Sequence, residues 1–244
     1  LPLPIQETMT VIAKGIRNIS GIAYQWFYDR WLKYIGNVGQ DLVESIYSFI
    51  EYKPLPVAQL VREAQNKTHT AQAGFINFGW RGWEGNFPTA TVRKCSNNPT
   101  LEEKTIAFYQ EAVQISSLRL QPLTCYYHQD SRADKFSGTA LTGVQSYMGS
   151  APPELTGSVV FCDLARKQKN QAPTRGALAY TRVSPDFKQS DFAVIEIEDN
   201  FGTESAYYVS LGTNLDQTRL FLGVHGSMKV TAWNQGSVWE IVPC

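Results

Sequence analysis

The sequence predicts a mainly β protein with an α-helical arm at its N-terminus. Between residues 5 and 26, apolar residues recur at alternating steps of four and three, the 3.5-residue period of a helix that packs along a narrow seam. From residue 74 onward, short segments rich in β-branched and aromatic residues alternate with turn sequences. Many short strands without alternating helices indicate an antiparallel β-sandwich or barrel.

The expected arm covers residues 1–60 and consists of two helices. Gly36 and Gly39 each disfavour a helix interior by about 1 kcal/mol, so we expect a break near residues 36–39. Pro54 and Pro56 end the region, because proline disfavours helix at the residue before it. The apolar stripe of the two helices comprises Ile5, Met9, Ile12, Ile16, Ile19, Trp26, Phe27, Trp31, Ile35, Leu42 and Ile46.

A linker over residues 61–73 leads into the expected β-sandwich domain, which spans residues 74–244. Turn sequences such as Asn97-Asn98-Pro99 separate its strands. Residues 129–156 are expected to form one long connection, and residues 101–111 a helical insertion. The expected strands cover residues 75–80, 90–93, 113–120, 123–128, 157–162, 177–183, 192–198, 206–211, 220–224, 228–233 and 238–242.

The composition favours a protein that makes large, lasting contacts with other proteins. Charged residues are 18% of the chain, below the roughly 25% of an average soluble domain, and aromatic residues are 12%. Interface cores are poor in charge and rich in aromatic residues. The 22 basic and 22 acidic residues cancel, so the net charge gives no general attraction for nucleic acid or anionic lipid.

The four cysteines, Cys95, Cys125, Cys162 and Cys244, are widely scattered along the chain. Their spacing matches no zinc motif. A secreted domain could pair them, but a chain of 244 residues does not need disulfides to be stable. We therefore expect free, buried thiols.

No arrangement of residues in the sequence indicates an enzyme. The three histidines, His69, His128 and His225, have no spacing typical of a metal site or an activated nucleophile. Glu196 and Glu198 share one face of an expected strand, which is more typical of a solvent-facing strand than of paired catalytic carboxylates. We expect no catalytic residue, no metal and no cofactor.

A glycine-bent loop near residue 80 is a candidate contact or ligand loop. It contains Trp80, Arg81 and Trp83, and aromatic residues beside an arginine can stack on a nucleic-acid base or a sugar ring. Burial of the loop in a contact within the protein or between subunits is the favoured interpretation.

The strongest basic run of the chain is a second candidate contact. Arg166, Lys167 and Lys169 fall in a turn-like stretch between two expected strands. A solvated loop is the simplest interpretation of such a run. The alternative is contact with RNA phosphates or with an acidic partner.

The arm needs a surface that covers its apolar stripe. Helices of other subunits, the β domain of the same chain and a membrane are the three alternatives. The narrow heptad seam favours a helix–helix contact between subunits. Basic and aromatic residues in the arm are also typical of a helix at a membrane surface, but acidic residues dilute its basic face. Membrane contact is therefore the least favoured.

The segment 176–244 resembles the final strands of the capsid jelly roll of picorna-like RNA viruses. The residues that carry the resemblance are the runs 176–185, 192–198, 226–233 and 238–242, together with the pair Tyr207 and Tyr208. The resemblance implies an antiparallel jelly-roll sandwich. It also implies a structural capsid subunit that assembles through its arm and its β-domain loops to enclose RNA.

The same resemblance implies the subunit's origin, location and partners. Cleavage from a polyprotein would explain a chain that begins with Leu1 rather than Met. The implied location is the virion, with the host cytoplasm during assembly. The implied partners are other capsid subunits, in a homo- or hetero-oligomer, and genomic RNA is a further candidate.

Two other functions fit the same sequence. A lectin-like carbohydrate-binding module would use Trp80, Trp83 and Trp233 as stacking platforms. A membrane-active protein would insert its N-terminal helix into a bilayer. Sugar binding that disappears in a Trp83→Ala variant would support the first alternative, and leakage of liposomes caused by the arm would support the second.

Overall fold

The chain divides into two compact units in the computed structural model. Unit 1 comprises Leu1–Arg17 and Ile50–Gln121, and unit 2 comprises Asn18–Phe49 and Pro122–Cys244. The structure describes residues 13–50, 76–89, 120–167, 174–186, 188–198, 201–229 and 231–243.

Every regular element among the described residues is a β-strand. The strands are β1 (Ala13–Lys14), β2 (Ile19–Phe27), β3 (Arg30–Asn37), β4 (Val43–Ile50), β5 (Ile76–Asn77), β6 (Trp83–Glu84), β7 (Phe87–Pro88), β8 (Thr124–Tyr127), β9 (Leu141–Tyr147), β10 (Ser158–Asp163), β11 (Ala177–Thr181), β12 (Ala193–Ile195), β13 (Tyr207–Thr213), β14 (Leu220–His225) and β15 (Gly236–Ile241).

The predicted helical arm is wrong over the residues that the structure describes, because β2, β3 and β4 occupy most of them. Side chains of a strand alternate between its two faces. Apolar residues spaced four and three residues apart therefore do not all lie on the same face of a strand. Ala23 is 3% exposed and faces inward, whereas Trp26 is 52% exposed on the opposite face. Residues 1–12 and 51–60 of the predicted arm lie outside the described residues.

Two turns interrupt the region that we expected to be helical. Tyr28 and Asp29 connect β2 to β3, and Tyr28 has a φ of 56°. Hairpin turns are usually recognised in a sequence by glycine or asparagine. Because a tyrosine takes the left-handed conformation here, the sequence carries no sign of this turn. Residues 38–42 connect β3 to β4, and this connection overlaps the break predicted near residues 36–39.

Unit 1 contains two short strand pairs among its described residues. β1 pairs with β5 in parallel, and β6 pairs with β7 in an antiparallel hairpin. Of the strand predicted at 75–80, only Ile76–Asn77 is regular. The predicted elements that lie outside the described residues are the linker 61–73, the helix 101–111, the strand 90–93 and all of the strand 113–120 except Leu120.

The described part of unit 2 contains three antiparallel sheets. Sheet I has the strand order β2-β3-β4-β8, sheet II has the order β12-β11-β10-β9, and sheet III has the order β13-β14-β15. All the strand pairs described within these sheets are antiparallel. The prediction of a mainly antiparallel β protein is confirmed.

Strand β10 is buried on both of its faces. Val160 and Cys162 belong to one hydrophobic cluster with Leu222 and other residues of sheet III. On the opposite face, Phe161 stacks on Tyr126 of β8, with 5.6 Å between the ring centroids. Sheet II therefore packs against sheet III on one face and against sheet I on the other.

Strand β9 connects the three sheets of unit 2. It pairs with β10 inside sheet II. The Ser146 hydroxyl donates a hydrogen bond of 2.6 Å to the carbonyl oxygen of Tyr24 in sheet I. The Thr142 hydroxyl donates one of 2.6 Å to the carbonyl oxygen of Tyr208 in sheet III.

Glycine allows the backbones to approach closely at β9. A Cβ atom at Gly21 would lie 2.7 Å from the backbone nitrogen of Val144, and one at Gly143 would lie 2.6 Å from the backbone nitrogen of Leu211. Real Cβ contacts are longer, so neither position admits a side chain without a backbone shift.

The predicted connection over residues 129–156 is wrong, because it contains β9. Gly143 and three polar residues weaken the strand signal of this segment. The strand predicted at 228–233 is also wrong, since the described part of this segment belongs to the connection between β14 and β15. Predicted strands that are confirmed in position are those at 123–128, 157–162, 177–183, 192–198, 206–211, 220–224 and 238–242.

Candidate functional site

The β2–β3 hairpin carries an exposed apolar surface, here called the aromatic face. It consists of Ile22, Tyr24, Trp26, Tyr28 and Trp31, each between 44% and 77% exposed. Contiguous exposed apolar surface is uncommon on soluble monomers and usually marks a contact site. The aromatic face is therefore the strongest candidate site of the described surface.

Strand alternation produces this face. Ile22, Tyr24 and Trp26 point outward, while Ala23 and Gln25 between them are buried. The buried amide of Gln25 is held on both sides: its oxygen accepts a 2.5 Å hydrogen bond from the Tyr34 hydroxyl, and its nitrogen donates one to the Gly157 carbonyl. The inward side chains thus fix β2, and the aromatic side chains are left to solvent.

The aromatic rings are packed against one another before any partner binds. Trp26 and Trp31 are opposite residues of β2 and β3, and their rings meet edge to face with 5.2 Å between centroids. The Lys33 ammonium lies 5.5 Å from the centroid of the Tyr24 ring. Side chains that are already ordered lose little conformational entropy when a partner covers them.

Two buried carboxylates, Glu44 and Asp163, brace the sheets of unit 2. Glu44 of β4 is fully buried, and it accepts hydrogen bonds from the backbone N–H groups of Gly39 and Leu141. His128 Nε2 lies 2.7 Å from its other oxygen. Glu44 therefore links sheet I to the first residue of β9.

Asp163 at the end of β10 is the second buried carboxylate. It accepts hydrogen bonds of 2.9 Å from the backbone N–H groups of Thr139, Ala140 and Ala165 and from the Tyr126 hydroxyl. Burial raises the pKa of Asp163 to about 6, although these donors oppose the rise. Burial, together with the nearby Asp163 charge, raises the pKa of Tyr126 well above its usual value.

Glu44 and Asp163 are both 0% exposed, so neither carboxylate is accessible to solvent. An open cavity of about 280 Å³ lies beside β15, and its lining includes Tyr147, Arg219 and Glu240 but neither Glu44 nor Asp163. The donors around Asp163 occupy both of its oxygens. The geometry suits a structural role for the two carboxylates.

The described residues contain no group of three or more His, Cys, Asp and Glu side chains that could hold a metal ion. Cys125 is a buried free thiol beside the Ser45 hydroxyl, while His128 contacts Glu44. Cys162 is also free and buried, and burial raises its pKa to about 12. The prediction of free thiols is confirmed for these two cysteines, and Cys95 and Cys244 lie outside the described residues.

No helix in the described part of the chain is long and apolar enough to cross a membrane.

The structure separates the residues of the predicted assembly stripe. Its exposed members are Ile19, Trp26 and Trp31, its half-buried members are Ile16, Phe27 and Leu42, its buried members are Ile35 and Ile46, and Ile5, Met9 and Ile12 lie outside the described residues. Only Trp26 and Trp31 of the stripe belong to the aromatic face. Their role in assembly stays a prediction.

Ile22, Tyr24 and Tyr28 are members of the aromatic face that the helical interpretation missed. The signal for two of them is present in the sequence, because Ile22, Tyr24 and Trp26 alternate with Ala23 and Gln25. An alternation of this kind over β-branched and aromatic residues indicates a strand.

The candidate loop Trp80, Arg81 and Trp83 forms a turn of unit 1. The N–H of Trp83 donates to the carbonyl of Gly79, and the Arg81 carbonyl accepts from the Thr89 hydroxyl. Both tryptophans are half-buried, whereas Arg81 is exposed. The contact or ligand role of this loop stays a prediction.

The basic run makes contacts inside the chain. Arg166 Nη1 lies 3.9 Å from a carboxylate oxygen of Glu196, and Lys167 donates to the carbonyl of His128. Lys169 lies outside the described residues. Contact of the run with RNA or an acidic partner stays a prediction.

Comparison with models of known protein families gives no match to this chain. A search of curated protein sequences gives no match either.

Proposed function

We propose that this chain is a structural subunit of a viral capsid that encloses RNA, and that it assembles through the aromatic face and the loops of its β-sheets. The aromatic face is the observation that carries the proposal. Tryptophan and tyrosine dominate the binding energy of protein interfaces, and here four of them lie together on one hairpin.

Another subunit of low charge suits the aromatic face better than a charged partner. The Arg30 guanidinium and the Asp29 carboxylate lie 3.1 Å apart in the adjoining turn, so their charges compensate each other. The chain as a whole has equal numbers of basic and acidic residues. Two such surfaces meet without like-charge repulsion, and burial of the rings supplies the favourable free energy.

The capsid assignment draws on the resemblance of the segment 176–244. The described part of this segment forms β11 to β15, all in antiparallel pairs. A jelly roll has eight strands in two sheets, whereas the described strands of unit 2 form sheets of four, four and three. The jelly-roll topology therefore stays a proposal. The antiparallel pairing of the strands supports it.

Native mass spectrometry and negative-stain microscopy test the proposal. We expect the full chain, together with its sister subunits, to form closed particles, and a variant with Trp26→Ser and Trp31→Ser to form none. Leu215→Ser is the matched control, because Leu215 is 97% exposed outside the aromatic face. A chain that stays monomeric, or a double variant that assembles like the parent, would contradict the proposal.

Carbohydrate binding is the second candidate function. The exposed rings of Tyr24, Trp26 and Trp31 offer a platform on which sugar rings can stack. Glycan-array binding that is lost in the Trp31→Ala variant would favour this function. The sequence suggested three other platforms. Trp80 and Trp83 are half-buried and offer less ring surface, whereas Trp233 is 84% exposed.

A further inference from the structure

Strand β15 is an exposed edge of sheet III. Among the described strands it pairs with β14 alone, in an unbroken register from Leu220 opposite Ile241 to His225 opposite Gly236. Residues 236–240 are all exposed. Such an edge presents backbone N–H and C=O groups that a further strand can bind.

Three other sheet edges of unit 2 are covered or short. β13, the opposite edge of sheet III, lies beside β9, where the Gln145 amide donates to the Leu211 carbonyl. β2 of sheet I lies beside β9 as well. β12 of sheet II has three residues, and the charged Glu196 and Glu198 follow it. β15 is longer than β12, and none of the described residues gives it a comparable cover.

β15 also lacks several of the features by which proteins protect an edge strand. It contains no proline and no lysine, and its pairing with β14 has no bulge. Val238 is 75% exposed and Trp239 is 39% exposed, on opposite faces of the strand. The neighbouring Trp233 and Val242 are exposed too. An added strand would find apolar contacts on both faces.

The single charge of β15 does not oppose pairing with an identical strand. Glu240 forms a two-bond ion pair with Arg219, with 2.6 Å between Oε1 and Nε. If two copies of β15 pair antiparallel about Val238, Glu240 lies opposite Gly236 of the other copy. No like charges then face each other, and the edge is complementary to itself.

We propose that β15 pairs antiparallel with β15 of a second copy of this chain, about a two-fold axis near Val238. Sheet III then continues across the contact as one sheet of six strands. Backbone hydrogen bonds and the Val238 and Trp239 side chains hold the two copies together. This contact is separate from the aromatic face and does not require the proposed capsid function.

Sedimentation velocity of the full chain over a range of concentrations tests the contact. We expect a dimer whose Kd rises at least roughly tenfold in Val238→Lys, because two lysines then face each other across the axis. Leu215→Lys is the matched control and should leave the Kd unchanged, since it places the same charge at an exposed apolar residue outside β15. A monomer at every concentration, or a Val238→Lys dimer as tight as the parent, would overturn the proposal.

Hydrogen–deuterium exchange locates the contact. Peptides that cover Gly236–Ile241 should exchange more slowly at concentrations above the Kd than below it. The dimer should also persist in the Trp26→Ser, Trp31→Ser variant, which separates this contact from the aromatic face. Exchange of β15 that is independent of concentration, or loss of the dimer in that double variant, would overturn the proposal.

Discussion

Asp163 shows how single residues hold the sheets of unit 2 in place. Its carboxylate accepts hydrogen bonds from the segment before β9, from the residues after β10 and from Tyr126 of β8. A buried carboxylate needs this many partners, because an unpaired charge in the interior is strongly unfavourable. The residue therefore fixes the position of three chain segments at once.

We expect Asp163→Asn to lower the free energy of unfolding by about 2 kcal/mol at neutral pH, because an amide nitrogen cannot accept the bonds that the backbone N–H groups donate. Urea unfolding followed by tryptophan fluorescence measures this change. Asp186→Asn is the control, since Asp186 is exposed and pairs with Lys188 at the surface. Equal losses in both variants would argue against the structural role of Asp163.

The contribution of Asp163 to stability should depend on pH. Its pKa is about 6 in the folded protein, against 3.8 without the effects of folding. Between these values the folded state keeps a proton that the unfolded state has released, so the stabilising contribution is greatest below pH 3.8 and falls as the pH rises through 6. The fall amounts to about 3 kcal/mol, because one pKa unit corresponds to about 1.36 kcal/mol.

The difference in unfolding free energy between the parent and Asp163→Asn isolates this effect. We expect the difference to shrink across that pH window, as measured by urea unfolding of both proteins at several pH values. A difference that grows with pH would show that the hydrogen bonds from Thr139, Ala165 and Tyr126 outweigh the effect of burial.

Strand β9 depends on the absence of a side chain at Gly143. Gly143 leaves room for the backbone of β13, since a Cβ atom there would lie 2.6 Å from the Leu211 nitrogen. A backbone neighbour cannot rotate away as a flexible side chain can. The close packing of β9 on sheet III thus requires glycine at this position.

We expect Gly143→Ala to lower the free energy of unfolding by about 2 to 3 kcal/mol, as overpacking of a tight interior does. Gly212→Ala in β13 is a matched control, because a Cβ atom there has no neighbour within 4 Å. The control should change stability by less than about 0.5 kcal/mol or raise it slightly, since alanine restricts the unfolded chain. Thermal unfolding of both variants measures the effect, and similar losses in both would contradict the packing argument.

The strands that could be predicted from the sequence are those with continuous apolar or alternating runs. β10 and β14 are examples, because burial selects Val, Leu and Phe at successive positions. β9 was missed because its role requires glycine and hydroxyl side chains, which resemble loop residues in sequence. The glycine and hydroxyl residues that allow β9 to contact both neighbouring sheets are also the residues that weaken its strand signal in the sequence.

The aromatic face was predicted in part, through Trp26 and Trp31, but for the wrong structural reason. A spacing of four and three fits a helix, and it also arises where two short strands and a turn place aromatic residues close together. Tyr24 lies two residues before Trp26, a step that only the strand interpretation places on the same face. The turn at Tyr28 distinguishes the strand interpretation from the helix interpretation. The sequence has no glycine there that would have indicated a turn.

At the scale of the whole molecule, neutrality predicts how assembly responds to salt. With no net charge, association through apolar rings should change less than about threefold between about 0.1 M and about 0.5 M NaCl. Light scattering of nuclease-treated protein at several salt concentrations measures this. A steep loss of association with salt would instead point to contacts with RNA phosphates.

The burial of β10 on both faces has a consequence for any particle that this chain builds. Neither sheet I nor sheet III can detach without uncovering one apolar face of sheet II. Unit 2 should therefore lose its structure in one cooperative step, without a partly open form. In the proposed capsid, unit 2 of each subunit would therefore enter or leave the shell intact, so the shell would open along boundaries between subunits and not through this unit.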